Sequence, residues 1–279
     1  MKKIYGIIGF PVKHSLSPAM HNAAFRALDI NAEYMLFEVK PEELKSFFNN
    51  LDKSNILGLN VTIPHKEKVF GFVSLEPDNS YLRQIGAINT IVNKKGQWLG
   101  YNTDISGFTK HLKENFDPAN KKVAIIGAGG AARAVSFALV KSGAKEISIF
   151  DIDQKKSENI SKMLRGLFPD FLISIAKNIE DLQIKNKNLL INATPLGMKP
   201  KDPCPVEEKQ LHKDLFVYDL IYNPAETKLL KLAKKAGAQT SDGLGMLLYQ
   251  GMLSFEIWTG GPAPKETMQK ALINALRSL

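Results

Sequence analysis

With 279 residues, 44% of them hydrophobic and 23% charged, the chain is long enough for one large or two medium domains and has an ordinary globular balance. Its net charge of +9 is carried by lysines spread along the whole length, while arginine is scarce. That pattern suits a solvated surface with a mild attraction for small anions, and it argues against a nucleic-acid partner. No apolar run approaches a membrane span, and the single cysteine, Cys204, excludes an internal disulfide or a Cys-cluster metal site and fits a cytoplasmic location.

MKKIYGIIGF lacks a small-residue cleavage site and reads as a first strand over 3–8, not a leader. Strands and helices then alternate, which predicts an α/β protein with mostly parallel sheets. Helical patterns cover 18–29, 41–51, with Pro41-Glu42-Glu43 in the first turn, and 65–73. Strands are expected at 33–39 and 56–63, and a hairpin at 87–93 and 97–101 turns on NKKG. A connecting helix in ISGFTKHLKEN leads to a second unit with strands at 171–176, 188–193 and 215–221 and helices at 154–167 and 226–236. The chain closes with helices at 244–258 and 265–278.

The second unit opens on KKVAIIGAGGAARAVSFALVKSGAKEISIFDID: strand, Gly-rich turn, helix ending at Gly143, strand, acid. Gly127, Gly129 and Ala132 occupy the Gly-x-Gly-x-x-Gly/Ala positions of a dinucleotide turn. Gly127 supplies the tight turn, Gly129 the close approach to a pyrophosphate, and the phosphates rest on a helix starting near Gly130. Asp151 ends the second strand, where a carboxylate accepts from the ribose hydroxyls and repels a 2'-phosphate. This favours NAD, although Lys155 and Lys156 follow closely and could tolerate a phosphate.

In GLNVTIPHKEKV, Asn60 and Thr62 face one way and Leu59, Val61 and Ile63 the other. Pro64 ends the strand, and Lys66 falls in the first turn of the expected helix, where the dipole disfavours a cation. The stretch is either a polar edge strand or a binding site. Ser17 reads as an N-cap with Pro18 at N1, yet Ser15 and Ser17 before a helix N-terminus equally suit a carboxylate ligand. Asn89, Thr90, Asn102, Thr103 and Asp104 bracket the hairpin and fit turn and cap chemistry. Met246 and Gln250 share a helical face, and Tyr222 stands at a strand end. His14, His21 and His65 show no metal-ligand spacing, and no metal site is expected.

Taken together and in order, HSLSPAMHN, NVTIPHK, GAINT, GYNTD, GAGGAAR, NATPLGM, DLIYNP and DGLGM identify the chain as resembling the shikimate dehydrogenases over essentially its whole length. The resemblance implies reversible hydride transfer between a nicotinamide cofactor and C3 of 3-dehydroshikimate or shikimate. It also implies two α/β domains, a substrate-binding domain and a Rossmann-type domain, with the active site in the cleft between them. The substrate domain would span 1–103 and be completed by 244–279, and the cofactor domain would span 104–243. Lys66 and Asp104 would form the catalytic pair, the carboxylate favouring the charged amine and fixing its orientation. Ser15 and Ser17 would hold the substrate carboxylate, and Asn60, Thr62, Asn89 and Gln250 its ring hydroxyls, with Tyr222 close by. Gly127, Ala128, Gly129, Gly130 and Ala131 would contact the pyrophosphate, and Thr194, Leu220 and Gly243 would lie near the nicotinamide.

NADP-specific members commonly carry Asn-Arg-Ser/Thr after the second strand of the cofactor domain, whereas this chain has Asp151-Ile152-Asp153. NAD is therefore expected against a family default of NADP. The alternatives are an NAD-dependent quinate/shikimate dehydrogenase and a non-catalytic sensor of the same ligands. The Ser15/Ser17 pair is of the shikimate type. The expected partners are the small-molecule substrate and nothing in the membrane, and the expected state is a monomer or homodimer.

Overall fold

The computed structural model describes residues 2–51, 54–76 and 81–278. Its contacts divide the chain into two compact units, Met1–Gly107 with Leu247–Leu279, and Phe108–Met246. The first begins with β1 (Lys3–Gly9), α1 (Ser17–Ala27), β2 (Ala32–Glu38), α2 (Leu44–Leu51) and β3 (Ile56–Val61). It continues through β4 (Ser74–Leu75), α3 (Leu82–Ile85), β5 (Thr90–Lys94) and β6 (Gln97–Tyr101) to α4 (Thr103–Asn115), within which the boundary falls. The second holds β7 (Lys122–Ile126), α5 (Gly130–Lys141), β8 (Glu146–Phe150), α6 (Gln154–Leu167), β9 (Leu172–Ile175), β10 (Leu189–Asn192), β11 (Phe216–Asp219), α7 (Lys228–Lys235) and β12 (Gln239–Ser241). The boundary is crossed again within α8 (Leu244–Thr259), and α9 (Lys265–Arg277) completes the first unit. Among the described residues no helix is long and apolar enough to cross a membrane.

The first unit's sheet has the order β2-β1-β3-β5-β6-β4, with β1 parallel to its neighbours and β5 antiparallel to both β3 and β6. It is therefore mixed, because a two-residue turn can join strands only in antiparallel sense. That turn is Lys95-Gly96, both at positive φ, as a primed hairpin turn demands. Asn93 Oδ1 accepts from the Gly96 N–H at 2.8 Å and closes it. Strand β3 alternates as its sequence suggests. Leu59 and Val61 enter a core with Ile8, Phe48, Val69, Ile88, Ile91 and Trp98. On the other face, Gly58 lies under the Trp258 ring, whose indole N–H donates to Ile91 O at 3.0 Å. His21 is fully buried here, stacked on Tyr34 at 4.4 Å, and desolvation pulls its pKa down to about 3, so the ring is neutral.

Three local expectations give way. Strand β3 ends at Val61, so Ile63 is 65% exposed instead of facing the core. No α-helix forms over 65–73: a turn leads to a single 3₁₀ turn at Lys68–Gly71, since Val69, Phe70, Gly71 and Phe72 are poor helix formers. Lys66 is thus in a turn and not opposed by a helix dipole. Residues 41–43 precede α2 instead of opening it, and Glu43 Oε2 accepts from the Lys40 N–H at 2.9 Å.

The second sheet, β12-β11-β10-β7-β8-β9, is wholly parallel. Read from β9, its order is that of a Rossmann sheet, with the strand order reversing between β7 and β10. Ala124, Ile126, Leu190, Val217, Leu229 and Leu230 are among its core residues. The short strands β4 and β12 and the one-turn helix α3 escaped the periodicity reading because two to four residues carry no measurable period.

A Cβ at residue 58 would collide with the indole of Trp258, which its own hydrogen bond holds in place. Gly58→Ala should therefore cost about 1–3 kcal/mol by overpacking, read as a lower urea midpoint at unchanged m-value.

Candidate active site

Lys66 leaves the turn after β3 with its carbonyl accepting from the Ile88 N–H at 2.8 Å. His65, fully buried, fixes the same turn through a 2.7 Å contact between Nε2 and Val39 O. From there Lys66 Nζ donates to Asp104 Oδ2 at 2.6 Å, with the two side chains only 14% and 6% exposed. Asp104 lies in the first turn of α4, where a carboxylate is favoured by the helix dipole. Its second oxygen accepts from Asn89 Nδ2 at 2.8 Å. Asn89 is held in turn by the Thr103 N–H donating to its Oδ1 at 2.7 Å, and its Nδ2 lies 3.4 Å from Gln250 Oε1. Four residues singled out from the sequence, Lys66, Asn89, Asp104 and Gln250, are thus one hydrogen-bonded group.

The other polar candidates stand differently. Ser15 Oγ accepts from the Ser17 N–H at 3.3 Å. Helix α1 is capped by Leu16, so Ser17 is its first residue and not its N-cap, and the half-buried Ser15 hydroxyl takes up a backbone N–H that the helix leaves without a partner. Thr62 lies one residue beyond β3 with its methyl toward Gly9. Asn60 is buried with both ends of its amide engaged: Oδ1 accepts from Tyr34 Oη at 2.7 Å and Nδ2 donates to Ser254 Oγ at 2.9 Å. Tyr222 belongs to the second unit, in the loop after β11.

In that unit Gly127 adopts φ +100°, and a Cβ there would meet Ala193 C at 2.8 Å, so the turn accepts only glycine. Gly129 is extended, and a Cβ on it would meet nothing within 4 Å. Open space above this glycine, at the start of the twelve-residue α5, fits a pyrophosphate approaching backbone N–H groups. Asp151 is tied into the turn: Oδ2 accepts from the Ala128 N–H at 2.7 Å and Oδ1 from the Asp153 N–H at 2.8 Å. Two lone pairs per oxygen leave capacity for ribose hydroxyls. Ile152 beside it is 94% exposed. Thr194 packs its methyl toward Gly127, and Gly243 is seated against the Leu220 carbonyl with no room for a Cβ.

Behind these loops lies a group that the sequence reading passed over. Asn192 Oδ1 accepts from the Thr194 hydroxyl at 2.7 Å, and its Nδ2 donates to Asp219 Oδ1 at 3.0 Å. Asp219 also accepts from the Ile221 N–H at 3.1 Å and the Thr227 hydroxyl at 2.7 Å. Its carboxyl is pushed up to about 6 by burial, against the pull of those hydrogen bonds. A polar residue ending each of two buried strands, in NATPLGM and DLIYNP, was the available signal.

The family model for the shikimate dehydrogenase substrate binding domain matches residues 7–91, and that for the shikimate 5'-dehydrogenase C-terminal domain matches residues 243–273. A shikimate dehydrogenase (NADP(+)) of Methanopyrus kandleri is 45% identical over 280 residues, covering 98% of this chain and 96% of that protein. A crystal structure of a shikimate dehydrogenase in complex with NADP+ matches with a TM-score of 0.90 and 40% identity, over 99% of this chain and 96% of that one. The shikimate 5-dehydrogenase of Listeria monocytogenes, solved in complex with shikimate and NAD, matches with a TM-score of 0.86 and 35% identity, over 97% and 96%.

Asp219 has a testable pH signature. Its folded pKa lies above the ordinary 3.8, so the stability tied to its protonation is fully present below 3.8 and is lost as pH rises through about 6. The urea stability of the wild type relative to Asp219→Asn, which takes up no proton, should fall between pH 4 and pH 7 by roughly 2–3 kcal/mol. A flat difference across that range would show that this carboxyl titrates normally.

Proposed function

The chain belongs to the shikimate dehydrogenase family, and on that footing we propose that it interconverts 3-dehydroshikimate and shikimate, with NAD as the preferred cofactor. The buried Lys66–Asp104 pair, 2.6 Å apart and braced by Asn89, carries the reading. A bound nicotinamide dinucleotide supplies or accepts the hydride. What the protein adds is at the oxygen, where negative charge develops as the C3 ketone is reduced. Lys66 Nζ directs an N–H donor there and stabilises that charge, and the Lys66–Asp104 pair handles the proton that the oxygen gains or loses. Asp104 holds the amine in place, and Asn89 holds Asp104.

Ser15, on the turn before α1, and Ser17, its first residue, fit the substrate carboxylate, being hydroxyls beside backbone N–H groups at a helix start. Asn60, Thr62, Asn89 and Gln250 are the proposed readers of ring hydroxyls, with Tyr222 close to the substrate. Residues 127–131 would cradle the pyrophosphate. Thr194, Leu220 and Gly243, which the Asn192–Asp219 group and the Gly243–Leu220 contact support, would flank the nicotinamide. The half-buried Cys204, the one cysteine of the chain, accords with a reducing compartment, so the cytoplasm is the proposed location.

The cofactor preference rests on Asp151. A 2'-phosphate would approach a carboxylate that the Gly-rich turn itself locks in place, and the next side chain is the exposed, uncharged Ile152. Lys155 is the cation to weigh against this, since Lys156 is turned toward Asp153 at 4.0 Å.

Lys66→Ala should lower kcat by about 10²–10⁴-fold with a much smaller change in KM for shikimate; weaker binding at unchanged kcat would reduce Lys66 to a binding role. Assayed with shikimate or quinate against NAD or NADP, the wild type should turn over shikimate fastest with NAD, and Asp151→Ala should narrow the gap to NADP. A preference for NADP in the wild type would mean that Lys155 or another cation outweighs the carboxylate.

A further inference from the structure

The Lys66–Asp104 pair is the visible end of a longer buried chain of hydroxyls and amides, whose far member, Ser254, is itself assigned to neither substrate nor cofactor. Ser254 Oγ, wholly buried on α8, donates to Gln250 O at 3.0 Å, and that carbonyl can only accept. With its one proton so committed, Ser254 must accept from Thr90 Oγ1 at 2.8 Å. Thr90 Oγ1 can then only accept from Thr103 Oγ1, 3.2 Å away, whose proton also has Asn89 Oδ1 and Ser254 Oγ as acceptors at 3.2 Å, and Thr103 Oγ1 accepts from Asn89 Nδ2 at 2.9 Å. In this arrangement the donors run from Asn89 through Thr103 and Thr90 to Ser254. The Thr103 N–H, donating to Asn89 Oδ1 at 2.7 Å, turns the NH₂ group of Asn89 toward Thr103 Oγ1 and, at 2.8 Å, toward Asp104 Oδ1. Asn60 adds a second anchor at Ser254, with its own amide fixed by Tyr34 Oη.

We infer that Ser254 is a positioning residue for the reaction. By ending the relay on a carbonyl it gives the Thr90 proton an acceptor other than Asn89 Oδ1, which leaves that oxygen to the Thr103 N–H and keeps Asn89 set against the carboxylate that holds Lys66. Without its hydroxyl, the Thr90 proton is free to turn back to Asn89 Oδ1, 3.1 Å away, and Asn60 Nδ2 loses its 2.9 Å acceptor in a dry site. The inference rests on the reading that Lys66 and Asp104 carry the chemistry.

The test compares wild type, Ser254→Ala and Thr90→Val, the second breaking the relay one link earlier should the first fold poorly. Two readouts are needed: kcat and KM with shikimate and NAD, and solvent exchange of the Asn89 side-chain NH₂ by ¹⁵N NMR, assigned with Asn89→Asp. Each variant should lower kcat about tenfold or more while KM for shikimate stays within about twofold, and its Asn89 NH₂ should exchange faster than that of the wild type. A kcat that falls only as far as the folded fraction falls, or does not fall, would overturn the positioning role. Should the wild type fail to turn over shikimate, the functional reading fails separately. The relay is then judged by exchange alone, and Asn89 exchange unchanged in both variants refutes it.

Discussion

The organising constraint of the first unit is a charge pair placed where water is scarce. Taking Lys66 and Asp104 out of water costs several kcal/mol per ion, and their attraction offsets this only when the remaining lone pairs and protons are satisfied. The fold meets that condition from several elements at once. The turn after β3 delivers the ammonium, α4 delivers the carboxylate at its favourable end, and Asn89, just before β5, fills the second oxygen. Such a pair adds little net stability, yet removing one partner alone would leave a buried charge, typically a loss of roughly 3–5 kcal/mol. A costly pair aimed from a turn is better explained by chemistry than by folding.

The second unit also buries a carboxylate, Asp219. Asp219, like Asp104, receives an Asn Nδ2 on one oxygen, and it also receives a backbone N–H and the Thr227 hydroxyl. Among the described residues no cation pairs with it, and burial pushes its carboxyl up to about 6 against the pull of those hydrogen bonds. Asp151 is a third case, half-buried, and spends one oxygen on the Gly-rich turn. The carboxylate that would read a ribose therefore also shapes the loop that would receive the pyrophosphate, so cofactor choice and loop geometry share one residue.

Much of this was written in short-range chemistry. The Gly-rich turn follows from Gly127, whose positive φ and contact with Ala193 admit no side chain, and the strand–turn–helix–strand–acid order around it is a local pattern. The alternation of β3 was legible because Leu59 and Val61 differ in kind from Gly58 and Asn60, and the primed hairpin turn because Lys95-Gly96 is nearly all the chain offers there. The identity of the polar residues was legible too. Their direction of use was not, since an Asn or Thr in a loop is equally a cap, a turn former or a ligand until its neighbours are known.

By itself, then, the sequence determined the α/β class, the Gly-rich turn with its acid, and the set of polar residues from which a site could be built, because each depends on residues within a few positions of one another. Only the tertiary structure decided that Lys66 stands in a turn and not on a helix, that the first sheet is mixed, and that Asn60 bonds Tyr34 and Ser254. The bonds that settle these points join residues up to 194 positions apart. A proton's direction in a buried relay depends on which acceptor stands at its far end, and that is a property of packing, which no local pattern encodes.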